Sequence, residues 1–291
     1  MKKISYLLAF SLATTMIYSC GSNNNKESEN KEAQVANQKI VSLNGAITEI
    51  ICNLGHEKEL VGRDVTSTYP ESMANSVKDL GHVRSLTIEP IVALNPTLIV
   101  ASDKDINADL LGKIKESGIK YDLFEQKYSI EGTKALIKQV AQALGNNNYQ
   151  SLWDKIDADI AKLQPISQKP KVLFIYARGA GTLMVAGKNT PMESIIQIAG
   201  GVNAVENLED FKPLTPEALI QGDPDLILLF DSGLESLGGT EGLLKVPGIA
   251  QTKAGKNKAI ISMEGGLLSG FGPRVGEAAV ELNKLMIEIA K

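Results

Sequence analysis

The sequence predicts an α/β protein of two related lobes joined by a helical spacer, and three observations carry that prediction. Short apolar strands alternate with segments of helical periodicity over most of the chain. Residues 86–100 recur without gaps at 214–228, with six of the fifteen positions identical. Between the two copies lies a segment whose apolar residues recur at helical spacing on either side of a Gly-Asn-Asn-Asn break.

At the N-terminus, Lys2 and Lys3 precede an apolar run over residues 4–17, and Ser19-Cys20-Gly21 follows. The run is short for a membrane span and has the pattern of a secretory signal. A cysteine at its cleavage point resembles the lipobox of bacterial lipoproteins. Residues 1–19 are therefore expected as a lipoprotein signal peptide, with Cys20 lipidated. Residues 20–38 are rich in Asn, Glu and Lys, cannot bury a core, and are expected as a disordered tether.

The first lobe is expected over 39–130. Residues 40–43 form a short apolar strand, then Ala46, Ile47, Ile50, Ile51 and Leu54 recur at helical spacing up to Gly55, with Cys52 as buried filler among them. A second strand covers 97–101 after Asn95-Pro96. A helix over 105–117 stops at Gly118, and 119–124 is extended again. The spacer is expected over 131–168. It holds a helix at 133–144, a Gly145-Asn146-Asn147-Asn148 break, and then Leu152, Ile156, Ile160 and Leu163 at three- and four-residue steps. A helix from about Tyr149 to Gln164 would run on the order of 24 Å, long enough to cross between domains. The second lobe is expected over 169–291. It opens with a strand at 171–177, followed by the capping box Thr190-Pro191-Met192-Glu193 and a helix closing at Gly200-Gly201. Two lobes on one helix leave a cleft, a favoured place for a small ligand.

The residue inventory narrows the function classes. With 30 basic and 34 acidic residues the chain lacks the charge footprint of a nucleic-acid binder. With Cys20 lipidated, Cys52 has no partner for a disulfide. The only histidines, His56 and His82, lie in no spacing that makes a zinc site, and neither a Gly-x-Ser-x-Gly elbow nor a P-loop occurs. Arg178-Gly179-Ala180-Gly181 follows a strand but lacks the third glycine of a dinucleotide fingerprint; it suits a backbone approach to a ligand. No catalytic residue and no catalytic cofactor are expected. The polar residues suited to binding lie in two loops. One is Thr66-Ser67-Thr68-Tyr69-Pro70 with His82-Val83-Arg84; the other is 178–190. On chemistry alone Tyr69 is either a turn tyrosine or a ligand contact. His56 reads as a helix-end cap, and His82 sits near the cleft rim.

Residues 40–49, 60–70, 81–100, 183–190, 199–204 and 268–277 together resemble the haem-binding periplasmic proteins of bacterial ABC haem importers. Those belong to the wider group that binds vitamin B12 and ferric siderophores. The resemblance covers the chain from Lys39 on, and the Thr66–Pro70 and Met184-Val185-Ala186-Gly187 stretches point to the haem branch. It implies two Rossmann-like lobes joined by a single long rigid helix, the class III helical-backbone type, with little hinge motion. It also implies haem as the transported ligand, with Tyr69 as the axial oxygen donor to iron. Some relatives carry a second-lobe histidine for a second haem. Here that place reads Tyr176-Ala177-Arg178-Gly179, which implies one haem. Arg178 is then expected to pair with a propionate or to hold Tyr69 as its anion, with His82 and Gly179 as further cleft contacts. Arg84 and Lys188 are propionate candidates or solvated surface residues.

Glu89 and Glu217 occupy the same place in the two copies of the repeat. By resemblance they pair with arginines of a permease dimer that works with its ATPase subunits; otherwise they answer the helix dipole. The same resemblance implies a monomer on the periplasmic face of the envelope, tied to a membrane by its lipid. The alternatives are a corrinoid or ferric siderophore cargo and, less favoured because the two histidines do not converge, a metal-dependent enzyme on the same scaffold.

Overall fold

The computed structural model describes residues 38–181 and 183–289. The expected signal peptide at 1–19, Cys20 and the tether up to Asn37 lie outside the described residues. Residues from Gln38 on form one compact unit.

The N-terminal lobe is a five-stranded parallel sheet in the order β3-β2-β1-β4-β5. Its strands are β1 (Ile40–Ser42), β2 (Leu60–Arg63), β3 (Lys78–Asp79), β4 (Leu98–Ser102) and β5 (Lys120–Phe124). The central strands β1 and β4 are buried at every residue, as continuous apolar runs in a doubly covered sheet should be. Alternate residues serve opposite faces. Ile40, Leu98 and Val100 join the core shared with the other lobe, while Val41, Ile99 and Ala101 join a second core under the helix Ala108–Ser117. That helix is capped by the Asn107 side chain, and Gly118, at φ 70°, ends it.

The C-terminal lobe is a six-stranded sheet. Its strands are β6 (Lys171–Ala177), β7 (Leu183–Ala186), β8 (Val202–Asn203), β9 (Phe211–Pro213), β10 (Leu226–Phe230) and β11 (Ile260–Met263). The order is β11-β10-β6-β7-β9, with β8 also on β6. Strands β11, β10 and β6 are parallel, but β7 runs antiparallel to β6 and β9 antiparallel to β7. The alternation in the sequence predicts parallel pairing, and the departure has a simple cause. Residues 178–182 between β6 and β7 are too few for a parallel crossover, which needs a dozen or more.

The repeat is structural. Strand β4 lies between β1 and β5, and β10 lies in the same way between β6 and β11. Each is preceded by a short helix, then by a left-handed non-glycine residue, Asn95 (φ 49°) or Asp223 (φ 33°), and then by a proline. Asn and Asp are among the side chains that tolerate that region best.

The spacer holds two helices. Ile130–Ala143 is capped by Ser129 and packs on the first-lobe helix Gly45–Asn53; Gln150–Ile160 packs on the C-terminal helix Val275–Ile289. The second spacer helix stops short of the predicted Gln164, so it spans about 16 Å rather than 24 Å. The N–H groups of Lys162 and Leu163 bond three residues back, and Asn283 grips Gln164 from both sides, accepting its N–H and donating to its carbonyl. Pro165 disfavours a helical Gln164 as well. Gly276 allows the close helix crossing, since a Cβ there would stand 2.7 Å from Asp159 Cβ.

One buried cluster runs through both lobes, from Ile47 and Leu136 to Phe174, Phe271 and Val275. Gln126 Nε2 donates to the Gly270 carbonyl at 2.7 Å and Thr133 Oγ1 to the Phe271 carbonyl at 3.0 Å, which fastens the second lobe to the first at the base of the cleft. Continuous packing there resists hinge motion. Cys52 is half-buried rather than buried, and burial pushes its thiol up to about 12, so it is inert packing.

Candidate functional site

A cavity of about 220 Å³ lies between the lobes. Its first-lobe wall is made by Asn44, Gly45 and Ala46 at the start of a helix, by Thr66, Thr68 and Tyr69, and by Asp105 and Tyr128. The second-lobe wall is Gly266, Ser269, Gly270, Gly272 and Pro191, nearly bare of side chains. At the floor, Glu49 and Arg274 close the gap between lobes.

The loop that carries Tyr69 is built on Asp64, which is fully buried. Its Oδ2 accepts from the Thr66 N–H and hydroxyl at 3.2 and 2.6 Å, and its Oδ1 accepts from the Ser67 hydroxyl at 2.7 Å. Ser67 in turn meets Thr48, which donates to Ser42 on β1. Burial raises the Asp64 carboxyl above its ordinary value, and the hydroxyl bonds hold it back. Thr66 also accepts the Gly45 N–H, and a Cβ on Gly45 would stand 2.5 Å from the Thr66 carbonyl oxygen, so only glycine fits. The chain then passes through a cis Tyr69–Pro70 peptide, and Tyr69 stands 44% exposed in the cleft.

The Arg274 guanidinium lies 3.8 Å from the centroid of the Tyr69 ring, a close cation–π contact. Arg274 Nε donates to Glu49 Oε2 at 3.0 Å, and its Nη2 lies 3.8 Å from Glu264, which accepts from Thr68 and caps the helix Gly265–Ser269. Glu49 is only 5% exposed, and its Oε1 has no hydrogen-bond partner. Burial raises its carboxyl above the usual range, with Arg274 opposing that rise.

Of the residues singled out in the sequence, Tyr69 lines the cavity. Arg84 is exposed at the rim, 3.8 Å from the cleft residue Asp105. His82 does not line the cavity; it is exposed, and its Nδ1 accepts the Arg84 N–H as the cap of the turn Val83–Ser85. Arg178 does not line it either. The β6–β7 hairpin turns at that point, and its guanidinium rests 5.8 Å from the Tyr176 ring. Gly179, at φ 66°, donates its N–H to Ser236 Oγ, which makes it a turn residue rather than a cleft contact. Lys188 is exposed, and its backbone is bridged to the 208–210 segment. Glu89 and Glu217 both lie exposed in the first turns of the helices Glu89–Val92 and Pro216–Gly222. The Thr87 hydroxyl holds Glu89 below the usual carboxylate range. His56 follows the helix Gly45–Asn53 and bonds the Ile51 carbonyl through its backbone N–H, but its side chain caps no helix. Rather than forming a surface cap, that side chain is largely buried, with Nδ1 2.7 Å from Glu59.

Arg274 and Glu49 are the charged pair among the several cavity residues, Asn44, Asp105 and Tyr128 with them, that the sequence patterns do not single out. A signal for Glu49 exists: an acidic side chain set among Ile47, Ile50 and Ile51 calls for a buried partner.

Residues 40–265 match the periplasmic binding protein family. The chain belongs to the periplasmic binding protein family. Among solved structures, this binding protein is similar to the periplasmic haem-binding protein RhuT from Roseiflexus sp. RS-1 in apo form. The TM-score is 0.84 at 39% identity, covering 87% of this chain and 99% of that one. It is also similar to the haem-binding protein HutB of Vibrio cholerae, at TM-score 0.76 and 32% identity over 85% and 98% of the two chains. Among curated proteins, the uncharacterised ABC transporter substrate-binding lipoprotein YvrC of Bacillus subtilis is 24% identical over 84% of this chain and 78% of its own. The vitamin B12-binding protein of Vibrio vulnificus is 27% identical over 58% and 62%. The family and these relatives are substrate-binding proteins, not enzymes.

Proposed function

We propose that this chain captures haem in the interlobe cleft, with the Tyr69 phenolate on the iron, and delivers it to an ABC importer. The observation that carries the reading is Tyr69, exposed in the cleft with the Arg274 guanidinium against its ring. A phenolate is a hard anionic donor suited to Fe(III), and a neighbouring cation compensates the charge its oxygen carries as a ligand. The glycine-rich wall opposite offers a flat surface to a planar macrocycle and, among the described residues that line it, no second iron donor. The reading is of one haem with one protein ligand. Arg84 at the rim is placed to meet a propionate.

In the same reading Cys20 carries the lipid that holds the protein at the periplasmic face, and the protein works as a monomer. Glu89 and Glu217 meet the permease, one per lobe. Relatives that bind vitamin B12 give a corrinoid as the rival cargo. Titration of residues 38–291 with haemin and, separately, with cobalamin tests the choice. A saturable Soret shift with haemin and no spectral change with cobalamin is expected; the reverse pattern overturns haem.

A further inference from the structure

The first-lobe side of the cleft carries a chain of polar side chains that runs from the second-lobe wall to the rim. Gln126 Nε2 donates to the Gly270 carbonyl at 2.7 Å. Asn44 Nδ2 lies 3.4 Å from Gln126 Oε1 and 3.1 Å from Asp105 Oδ2. Asn44 and Gln126 are both buried, and Asn44 also caps the helix Gly45–Asn53 through its Oδ1. Asp105 is therefore held from behind through Oδ2, while its Oδ1 faces Arg84 Nη2 at 3.8 Å. That separation is too long for a hydrogen bond. The two partners differ in freedom, since the Asp105 side chain is 32% exposed and the Arg84 side chain 72%. Asn107 Nδ2 donates to the Arg84 carbonyl at 3.2 Å, so the backbone is fixed there and the guanidinium is left to turn.

Other cations at the cleft are engaged. Arg274 is bound to Glu49 and lies against the Tyr69 ring. Lys104 donates to the Gln126 carbonyl at 3.3 Å and stands over the Tyr128 ring. Asp105 thus lines the cavity as a carboxylate whose one salt bridge among the described residues is the loose contact with Arg84. A ligand carboxylate that seats beside Arg84 is attracted by the guanidinium and repelled by Asp105. An exposed ion pair contributes little, whereas like charges brought together in a cleft cost more. We propose that Asp105 competes with a carboxylate of the cargo for Arg84. The resting rim pair opens when the ligand seats, and the acid left behind limits affinity and keeps capture reversible. The proposal rests on the haem reading above, since haem carries two propionates. It gives Asp105 a part opposite to that of the binding residues.

The test titrates the compact unit from Gln38 on with haemin and with haemin dimethyl ester, whose carboxyl groups are neutral. Asp105→Asn keeps an acceptor for Asn44 and removes the charge. It is expected to tighten haemin binding about tenfold and to leave the ester within about twofold of the wild type. Arg84→Ala should weaken haemin binding about threefold in the wild type and about tenfold in the Asp105→Asn background, where the arginine has no competitor. A variant damaged in its fold would lose both ligands, whereas a gain for haemin alone is expected. Haemin affinity that is unchanged or weaker in Asp105→Asn overturns the proposal, as does an Arg84→Ala loss that is the same in both backgrounds. A wild-type chain that binds neither porphyrin overturns the haem reading itself.

Discussion

The guanidinium of Arg274 lies 3.8 Å from the ring centroid of Tyr69, and the same side chain is anchored to Glu49 at 3.0 Å. One arginine thus joins the exposed tyrosine of the cleft to a buried carboxylate, and its two roles can be separated. Arg274→Met leaves Glu49 buried without its cation and should cost about 3 kcal/mol of stability. Adding Glu49→Met should restore most of that loss, because an ion pair replaced by apolar side chains is often neutral. Haemin binding should stay weakened in the double variant. Denaturant unfolding and haemin titration of the two proteins check both statements.

Glu49 also sets a pH dependence. Its folded-state carboxyl lies above the ordinary value of 4.5 because of burial, so the folded state holds the proton more tightly than the unfolded state. Stability from that proton is present below about pH 4.5 and is lost as pH rises through the raised folded value. Glu49→Gln removes the term. The thermal midpoint of the variant relative to wild type should therefore rise as the pH is raised from about 4 to about 7. A difference that falls over this range would mean that the ion pair with Arg274 outweighs desolvation.

Arg178 and Arg274 make a direct contrast. The resemblance pointed to Arg178, but its side chain rests by Tyr176 outside the cavity. Arg178→Ala and His82→Ala are expected to change haemin affinity by less than about threefold, a fraction of a kcal/mol. Isothermal or spectroscopic titration decides it, and a tenfold loss in either would restore that residue to the site.

The bare second-lobe wall gives a fourth test. Ser269→Trp would place a large side chain in the space proposed for the macrocycle, whereas its own hydroxyl only bonds the Gly265 carbonyl. Haemin affinity should fall by about a hundredfold or more, with far-ultraviolet dichroism unchanged. Unaltered binding would place the ligand elsewhere in the cleft.

Much of this architecture was legible in the sequence because it depends on local patterns. The repeat at 86–100 and 214–228 reappears as β4 and β10 with matching left-handed residues at Asn95 and Asp223. The Thr190 capping box and the Gly118 stop stand where read. What was hidden depends on contacts between distant parts of the chain. The Arg274–Glu49 pair spans 225 positions, and no spacing rule reaches that far. The end of the second spacer helix is set by Asn283, more than a hundred residues away. The antiparallel β7 was hidden for a different reason: apolar alternation does not record strand direction, which here follows from the short turn after Ala177.

The most direct measurement is the absorption spectrum and affinity of haemin with Tyr69→Phe. The substitution keeps the ring under Arg274 and removes only the oxygen proposed as the iron ligand. The wild type should show the charge-transfer bands of a high-spin ferric phenolate. The variant should lose them and bind on the order of a hundredfold more weakly, about 2.8 kcal/mol. A variant with the wild-type Soret band, charge-transfer bands and affinity would contradict Tyr69 as the ligand.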